Sequence, residues 1–265
     1  MAAEPLLVTR NIRKHFDGVT ALDGVNLTVP AGLIYGLIGP NGSGKTTLFN
    51  IITGFMAADE GTVTFDARPI TRLPPYQIAR RGLIRTFQAS LCPQQMTVME
   101  NMLLAARRQS GERMVNLLTH PGTVRREERA HLERARELLQ IVKLSDKVDE
   151  YAGSLSGGQK KLLMLAQALM AEPRLVLLDE PVAGVNPKLI DEIAEVIQRL
   201  RKEGQNFLIV EHNMNFVRNT CDQVSVLDAG QVIAEGAAAE VLSRDDVLHA
   251  YLGRRGTGAR GEAQR

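Results

Sequence analysis

The sequence contains no tryptophan and few aromatic residues of any kind, 4% of its 265 positions. Nucleic-acid surfaces rely on aromatic faces for base stacking and on a strong positive field. A formal charge of +2 supplies little of the second, so nucleic acid is not an expected partner. Cysteine is equally scarce. Cys92 and Cys221 form no disulfide framework and no Cys-x-x-Cys metal spacing, and read as isolated thiols of a reducing compartment. Long apolar runs are missing too: "LLMLAQALM" is interrupted by Gln167, and falls well short of the roughly 18 residues that suggest a membrane span. The opening "MAAEPLLVTRNIRKHF" lacks the basic flank and apolar stretch of a secretory signal. The chain is therefore expected not to cross a membrane itself, and to reach one only through a partner. What remains is 44% apolar and 23% charged, the composition of a globular protein with one large domain or two intimate ones.

The first third reads as strands and turns. "VNLTV" (residues 25–29) alternates apolar and polar positions, and "GLIYGLIG" (32–39) is a short apolar run ending in glycine. A glycine-rich loop and the helically spaced "TTLFNIITGF" follow. "TVTFDARPI" (62–70) suggests two short strands around an aspartate turn. From about Ala89 to Lys161 the spacing becomes helical and charge-rich, as in "MTVMENMLLAARRQ" and "REERAHLERARELLQIVKL". Alternating strand and helix then return. "LVLLDE" (175–180) and "NFLIVEH" (206–212) are buried-strand runs separated by "PKLIDEIAEVIQRLRKEG", and "QVSVLDAGQVIAEG" is a hairpin turning at residues 228–230. The prediction is an α/β core interrupted by a helical insertion. The last residues, "GRRGTGARGEAQR", offer nothing to bury and are expected to be disordered.

"GPNGSGKT" (39–46) satisfies G-x-x-x-x-G-K-[ST] at every fixed position, between an expected strand and an expected helix. Gly39, Gly42 and Gly44 let successive N–H groups turn onto phosphate oxygens, with Pro40, Asn41 and Ser43 in the same loop and Thr47 just beyond it. Lys45 reaches the β- and γ-phosphates of a nucleoside triphosphate, and the Thr46 hydroxyl is suited to Mg²⁺. "LVLLDE" ends an apolar strand in two carboxylates, so Asp179 is expected beside the metal shell and Glu180 beside an attacking water. On its own His212 reads as a structural histidine at a strand end. In a doubly wound sheet, however, the carboxyl ends of strands share one ligand crevice, which makes His212 a candidate γ-phosphate contact. A second anion-binding helix start, "LSGGQ" (155–159), precedes "LVLLDE".

With these motifs in place, the chain resembles the nucleotide-binding subunit of an ATP-binding cassette (ABC) transporter from about Leu6 to Gly253. The resemblance rests on Walker A "GPNGSGKT", Walker B "LVLLDE", the signature "LSGGQ", a Q-loop "TFQ" ending at Gln88 and an H-loop "VEH" ending at His212. It implies a P-loop NTPase core of the RecA-like type with an N-terminal antiparallel β subdomain and an inserted α-helical subdomain. Residues 1–253 would form one ABC ATPase domain. Its core and β subdomain would occupy 1–88 and about 166–253, its helical subdomain about 89–165, with 254–265 as a tail. The family pairs two cassettes head-to-tail, so Leu155, Ser156, Gly157, Gly158 and Gln159 would contact ATP held by the opposing subunit, from a helix starting near Gln159. Ser156 and Gly158 would hydrogen-bond its γ-phosphate.

The same resemblance gives further expectations. Phe16 would stack on adenine, with a buried core phenylalanine as the alternative; Gln88 would touch the Mg²⁺ and water site; and Gly184 and Asn186, in the D-loop "PVAGVNP", would cross the dimer interface. Glu180, His212 and Gln88 would be the catalytic residues, with Thr46, Gln88 and Asp179 around the metal. "AGVNP", "TFQ", "MTVMENML", "THPG" and "AYLG" are similar to cassettes of branched-chain amino acid and amide uptake systems. That subgroup often has an aromatic at one signature glycine and an arginine where Gln167 stands. ATP and Mg²⁺ are the implied cofactors. A second cassette, membrane permeases and, indirectly, a periplasmic solute-binding protein are the implied partners, at the cytoplasmic face of the membrane. Competing readings are an export or lipopolysaccharide-extraction cassette, a non-transport ABC ATPase, and a nucleotide-binding module without hydrolysis.

Overall fold

The structure, a computed structural model, describes residues 5–86, 92–107, 109–112 and 114–252. Strands β1 (Pro5–Phe16) and β2 (Val19–Pro30) form a long hairpin, followed by β3 (Ile34–Ile38) and helix α1 (Lys45–Ile52). Then come β4 (Glu60–Phe65), β5 (Arg68–Pro69), α2 (Pro75–Arg80) and β6 (Leu83–Arg85). The helical stretch comprises α3 (Val98–Leu104), α4 (Met114–Thr119), α5 (Pro121–Ile141) and α6 (Gly157–Met170). The chain closes through β7 (Leu175–Asp179), α7 (Pro187–Lys202), β8 (Asn206–Val210), α8 (Met214–Thr220), β9 (Gln223–Asp228), β10 (Gln231–Ala237), α9 (Ala238–Val241) and α10 (Asp245–Leu252).

Two sheets result. One is antiparallel, in the order β2-β1-β4-β5; the other runs β10-β9-β3-β8-β7-β6, parallel throughout except for the β9–β10 hairpin. The parallel strands are almost wholly apolar at their buried positions because both faces are covered, with Asp179 on β7 and Ser225 on β9 as polar exceptions. Their side chains alternate between two cores. Tyr35, Leu37, Leu175, Leu177, Leu208 and Val210 pack with Leu48 and Phe49 of α1 and with the antiparallel sheet. Ile34, Ile38, Val176, Leu178, Phe207 and Ile209 face the other way, onto α5, α6, α7 and α8. Each such side chain contributes roughly 1.5–3 kcal/mol on burial, so the central sheet fastens both layers and fixes its own strand ends.

The strands and helices read from "GLIYGLIG", "LVLLDE" and the long amphipathic runs form as expected. Strand β1 escapes a period-two reading because its pairing with β2 slips several times between Pro5 and His15, moving apolar residues out of alternation. Strand β8 stops at Val210, so His212 sits two residues beyond it. Helix α6 begins at Gly157, not near Gln159, because Ser156 is its N-cap.

Helix α6 packs closely on α7. A Cβ built on Gly158 would lie 1.8 Å from Leu189 Cδ2 and 3.5 Å from Val185 Cγ1. The same atom on Gly157 would meet nothing. Gly158→Ala should therefore lower stability to urea by about 1–2 kcal/mol through overpacking. In a Leu189→Ala background the clash is gone, and the same change should be neutral or stabilising, since alanine is the better helix former by up to about 1 kcal/mol. A penalty that persists in that background would rule out the packing explanation.

Candidate functional site

The parallel strands deliver their carboxyl ends to one edge, and the loops leaving β3, β7 and β8 build the site. The loop after β3 is pinned at both ends. Gly39 (φ +153°) allows no side chain, because a Cβ would fall 2.0 Å from the carbonyl oxygen of Leu227. Gly44, left-handed at φ +105°, is the N-cap of α1 and brings no side chain to cap it, so the helix start offers its N–H groups outward. Lys45 is buried, and its Nζ donates to the carbonyls of Gly39 and Pro40 at 2.8 Å each and to Ser43 Oγ at 3.4 Å. Burial lowers its pKa, opposed by the negative charges of Glu180 and Asp179. Asn41, Gly42 and Thr46 are exposed, Ser43 is buried and Thr47 is half-buried.

Asp179 ends β7, buried. Its Oδ2 accepts a 2.7 Å hydrogen bond from Arg85 Nη2 at the end of β6, while Arg85 Nη1 donates to Asn50 Oδ1 on α1 at 2.7 Å. The guanidinium also lies 5.6 Å from the Phe49 ring centroid. Arg85 thus neutralises a buried carboxylate and ties β6, β7 and α1 together.

Glu180 follows in the left-handed region at φ +49°, a conformation that costs a side-chain-bearing residue about 1–2 kcal/mol. Its peptide groups are held on both sides. The N–H donates to Val210 O at 2.9 Å, and the C=O accepts from Ala183 N–H at 3.2 Å and from Lys161 Nζ at 2.9 Å. The Glu180 Oε1 lies 3.7 Å from Nδ1 of the exposed His212, just beyond hydrogen-bond reach. Between the loops sits Glu211, 1% exposed. Its Oε1 accepts the N–H of Val182 at 3.0 Å, and its Oε2 accepts those of His212 at 3.0 Å and Asn213 at 3.2 Å. One carboxylate therefore staples the loop after Glu180 to the loop carrying His212.

The signature forms a complete capping box. Ser156 Oγ accepts from Gln159 N–H at 3.3 Å, and Gln159 Oε1 accepts from Ser156 N–H at 2.9 Å. Leu155 and Gly158 are buried, whereas Ser156 and Gly157 are exposed at the helix start. Gly158 thus turns its α-carbon toward α7, and the outward face is formed by its two predecessors. Exposed Gly184 is left-handed at φ +69°, and exposed Asn186 caps α7 by accepting Leu189 N–H at 3.1 Å. Phe16 is 41% exposed at the end of β1, which excludes the buried-core alternative, and Lys14 Nζ lies 5.4 Å from its ring centroid. Gln88 lies outside the described residues. Arg85, Glu211 and Lys161 join the site although sequence reasoning gave none of them a role. Only the position of Glu211 inside "VEH" was a signal.

Residues 22–183 match the family described as ABC transporter. The chain is 37% identical over 252 residues to the high-affinity branched-chain amino acid transport ATP-binding protein BraF of Pseudomonas aeruginosa, covering 95% of this chain and 99% of that one. An ATP-binding cassette of an ABC transporter in its ADP conformation superposes with a TM-score of 0.82 and is 42% identical, over 95% of this chain and all of that one. A dimeric bacterial ABC transporter cassette matches with a TM-score of 0.71 at 26% identity, over 88% of this chain and 98% of that one.

Glu211→Ala would strip three N–H groups of their acceptor in a poorly solvated place. Its urea-unfolding free energy should fall by about 2–4 kcal/mol. A loss under about 0.5 kcal/mol would show that the carboxylate holds nothing together.

Proposed function

Because the chain belongs to the ABC transporter family, whose cassettes bind and hydrolyse ATP, we propose that it is the ATPase subunit of an importer for branched-chain amino acids or related amides. The cargo class follows the branched-chain amino acid transport role of the similar protein BraF. The reading of the catalytic centre is carried by one observation: Glu180, in a left-handed backbone, stands between the metal-type ligand Asp179 and His212 at the strand edge that also bears the phosphate loop.

In this reading the N–H groups of the loop Gly39–Thr46 and of Thr47 surround the phosphates. Lys45 exchanges its loop carbonyls for the β- and γ-phosphate oxygens, and Phe16, exposed on its hairpin, stacks on adenine. The donors fit Mg²⁺: a hydroxyl from Thr46 and a carboxylate from Asp179 are hard oxygen ligands, and magnesium uses few protein ligands beside phosphates and water. Gln88 would complete that shell. Among the described residues no cluster of three or more His, Cys, Asp or Glu side chains forms a separate metal cage. When bound, the cation would neutralise charge on the transferring phosphoryl group. Glu180 orients the attacking water in line, and His212 holds the γ-phosphate.

The signature serves the nucleotide of a second cassette, consistent with the dimeric cassette that this fold matches. Ser156 and the N–H groups at the start of α6 grip that γ-phosphate from the face opposite Lys45, and Gly184 and Asn186 line the joint between subunits. ATP then closes the pair and hydrolysis opens it. No described helix is long and apolar enough to cross a membrane, so permease subunits would convert closure into transport at the cytoplasmic face, supplied by a solute-binding protein outside.

Glu180→Gln should bind ATP with nearly unchanged affinity, lower turnover about a hundredfold or more and accumulate a closed dimer by size-exclusion chromatography. Unchanged turnover would remove Glu180 from its role. In mixed dimers with one competent P-loop, Ser156→Ala should abolish hydrolysis only when it lies in the chain lacking that P-loop. Loss at the mutated chain's own P-loop would refute the shared site.

A further inference from the structure

Lys161 lies on the first turns of α6, five residues beyond the N-cap Ser156, which is about 7.5 Å along the helix axis. Its Nζ donates at 2.9 Å to the carbonyl oxygen of Glu180, a partly buried contact. That acceptor belongs to the strained residue at φ +49°, whose side-chain direction is set by its backbone. Burial lowers the pKa of Lys161, opposed by the neighbouring Glu211 and Glu180 carboxylates. Beside this contact is a cavity of about 110 Å³ lined by Lys161, Leu165, Asp179, Glu180, Pro181 and Ile193. Space is therefore available for the Glu180–Pro181 peptide to move if it is released.

We propose that Lys161 is a positioning residue that braces the Glu180 peptide, so that the helix touching the second cassette's nucleotide also sets the catalytic carboxylate of its own chain. The inference rests on the signature and Glu180 roles proposed above. Each α6 is then attached to two sites at once, through its N-terminus to the opposing γ-phosphate and through Lys161 to its own Glu180. A small displacement of the helix start on closure reaches Glu180 through rigid helix and one charge-assisted hydrogen bond. Hydrolysis at one nucleotide becomes sensitive to whether the other is present.

The test uses the full chain, comparing Lys161→Met, which keeps the apolar stem, with Lys161→Arg. Lys161→Met should lower kcat about tenfold while ATP affinity and thermal midpoint stay close to the parent, and Lys161→Arg should recover most of the rate. In single-turnover measurements the Lys161→Met loss should vanish in a Glu180→Gln background, because both act through one group. Mixed dimers with one Lys45→Ala chain locate the effect. Lys161→Met should slow hydrolysis when it shares a chain with the intact P-loop, whereas Ser156→Ala acts from the opposite chain. Unchanged turnover, additivity with Glu180→Gln, or a fall in ATP affinity or folding that arginine does not repair would overturn the brace. So would a Lys161 effect that follows Ser156. A Ser156 effect confined to its own chain, or a Glu180→Gln variant with full activity, would instead bring down the underlying site assignment, and each is read from its single variant.

Discussion

Everything at the site depends on the parallel pairing of β3, β8 and β7. Their register sets Leu37 opposite Val210, and Val210 opposite Asp179, so three strands end level on one edge. A parallel sheet has all its outgoing loops on the same side, and here the connections leaving β3, β8 and β7 lead to Lys45, His212 and Glu180 respectively. The two apolar faces hold that edge still: any slip of one residue would exchange the side chains of the two cores. The chemistry inherits its precision from leucine and valine packing.

The buried carboxylates on this edge are stabilised in different ways. Asp179 is met by a guanidinium on a three-residue strand, a charge for a charge. Removing one partner of such a pair would leave an uncompensated ion, an outcome usually more damaging than never having had the pair. Glu211 instead accepts hydrogen bonds from three backbone N–H groups of two loops. One carboxylate faces the phosphate loop's helix and the other knits the loops after β7 and β8.

Legibility in the sequence followed locality. The phosphate loop, the acidic end of β7 and the signature are contiguous strings whose backbone conformation is written in glycine and spacing, so their places in the α/β fold could be read directly. The capping box moved the start of α6 to Gly157 because one serine hydroxyl reached three residues ahead. Gly158 looked like a phosphate-facing glycine, yet its smallness answers to Leu189, thirty-one positions along. The roles of Arg85, Lys161 and Glu211 were not legible, because a charge read in sequence alone passes for solvated surface; only the place of Glu211 inside "VEH" marked it. Their partners, Asp179, the Glu180 carbonyl and the Val182 N–H, become neighbours only after the sheet has formed.

The reciprocal bonds between Ser156 and Gln159 are satisfied within a single protomer. The signature turn is thus already shaped within one chain, and in the proposed pairing this turn need not fold on encounter. A surface assembled from unstructured chain would forfeit several kcal/mol of ordering entropy at each association. In the proposed cycle, a pair that opens and closes with every nucleotide would incur that penalty at each turnover. Here it is met once, when the helix forms, which in the proposed cycle would leave the free energy of phosphate binding available for motion.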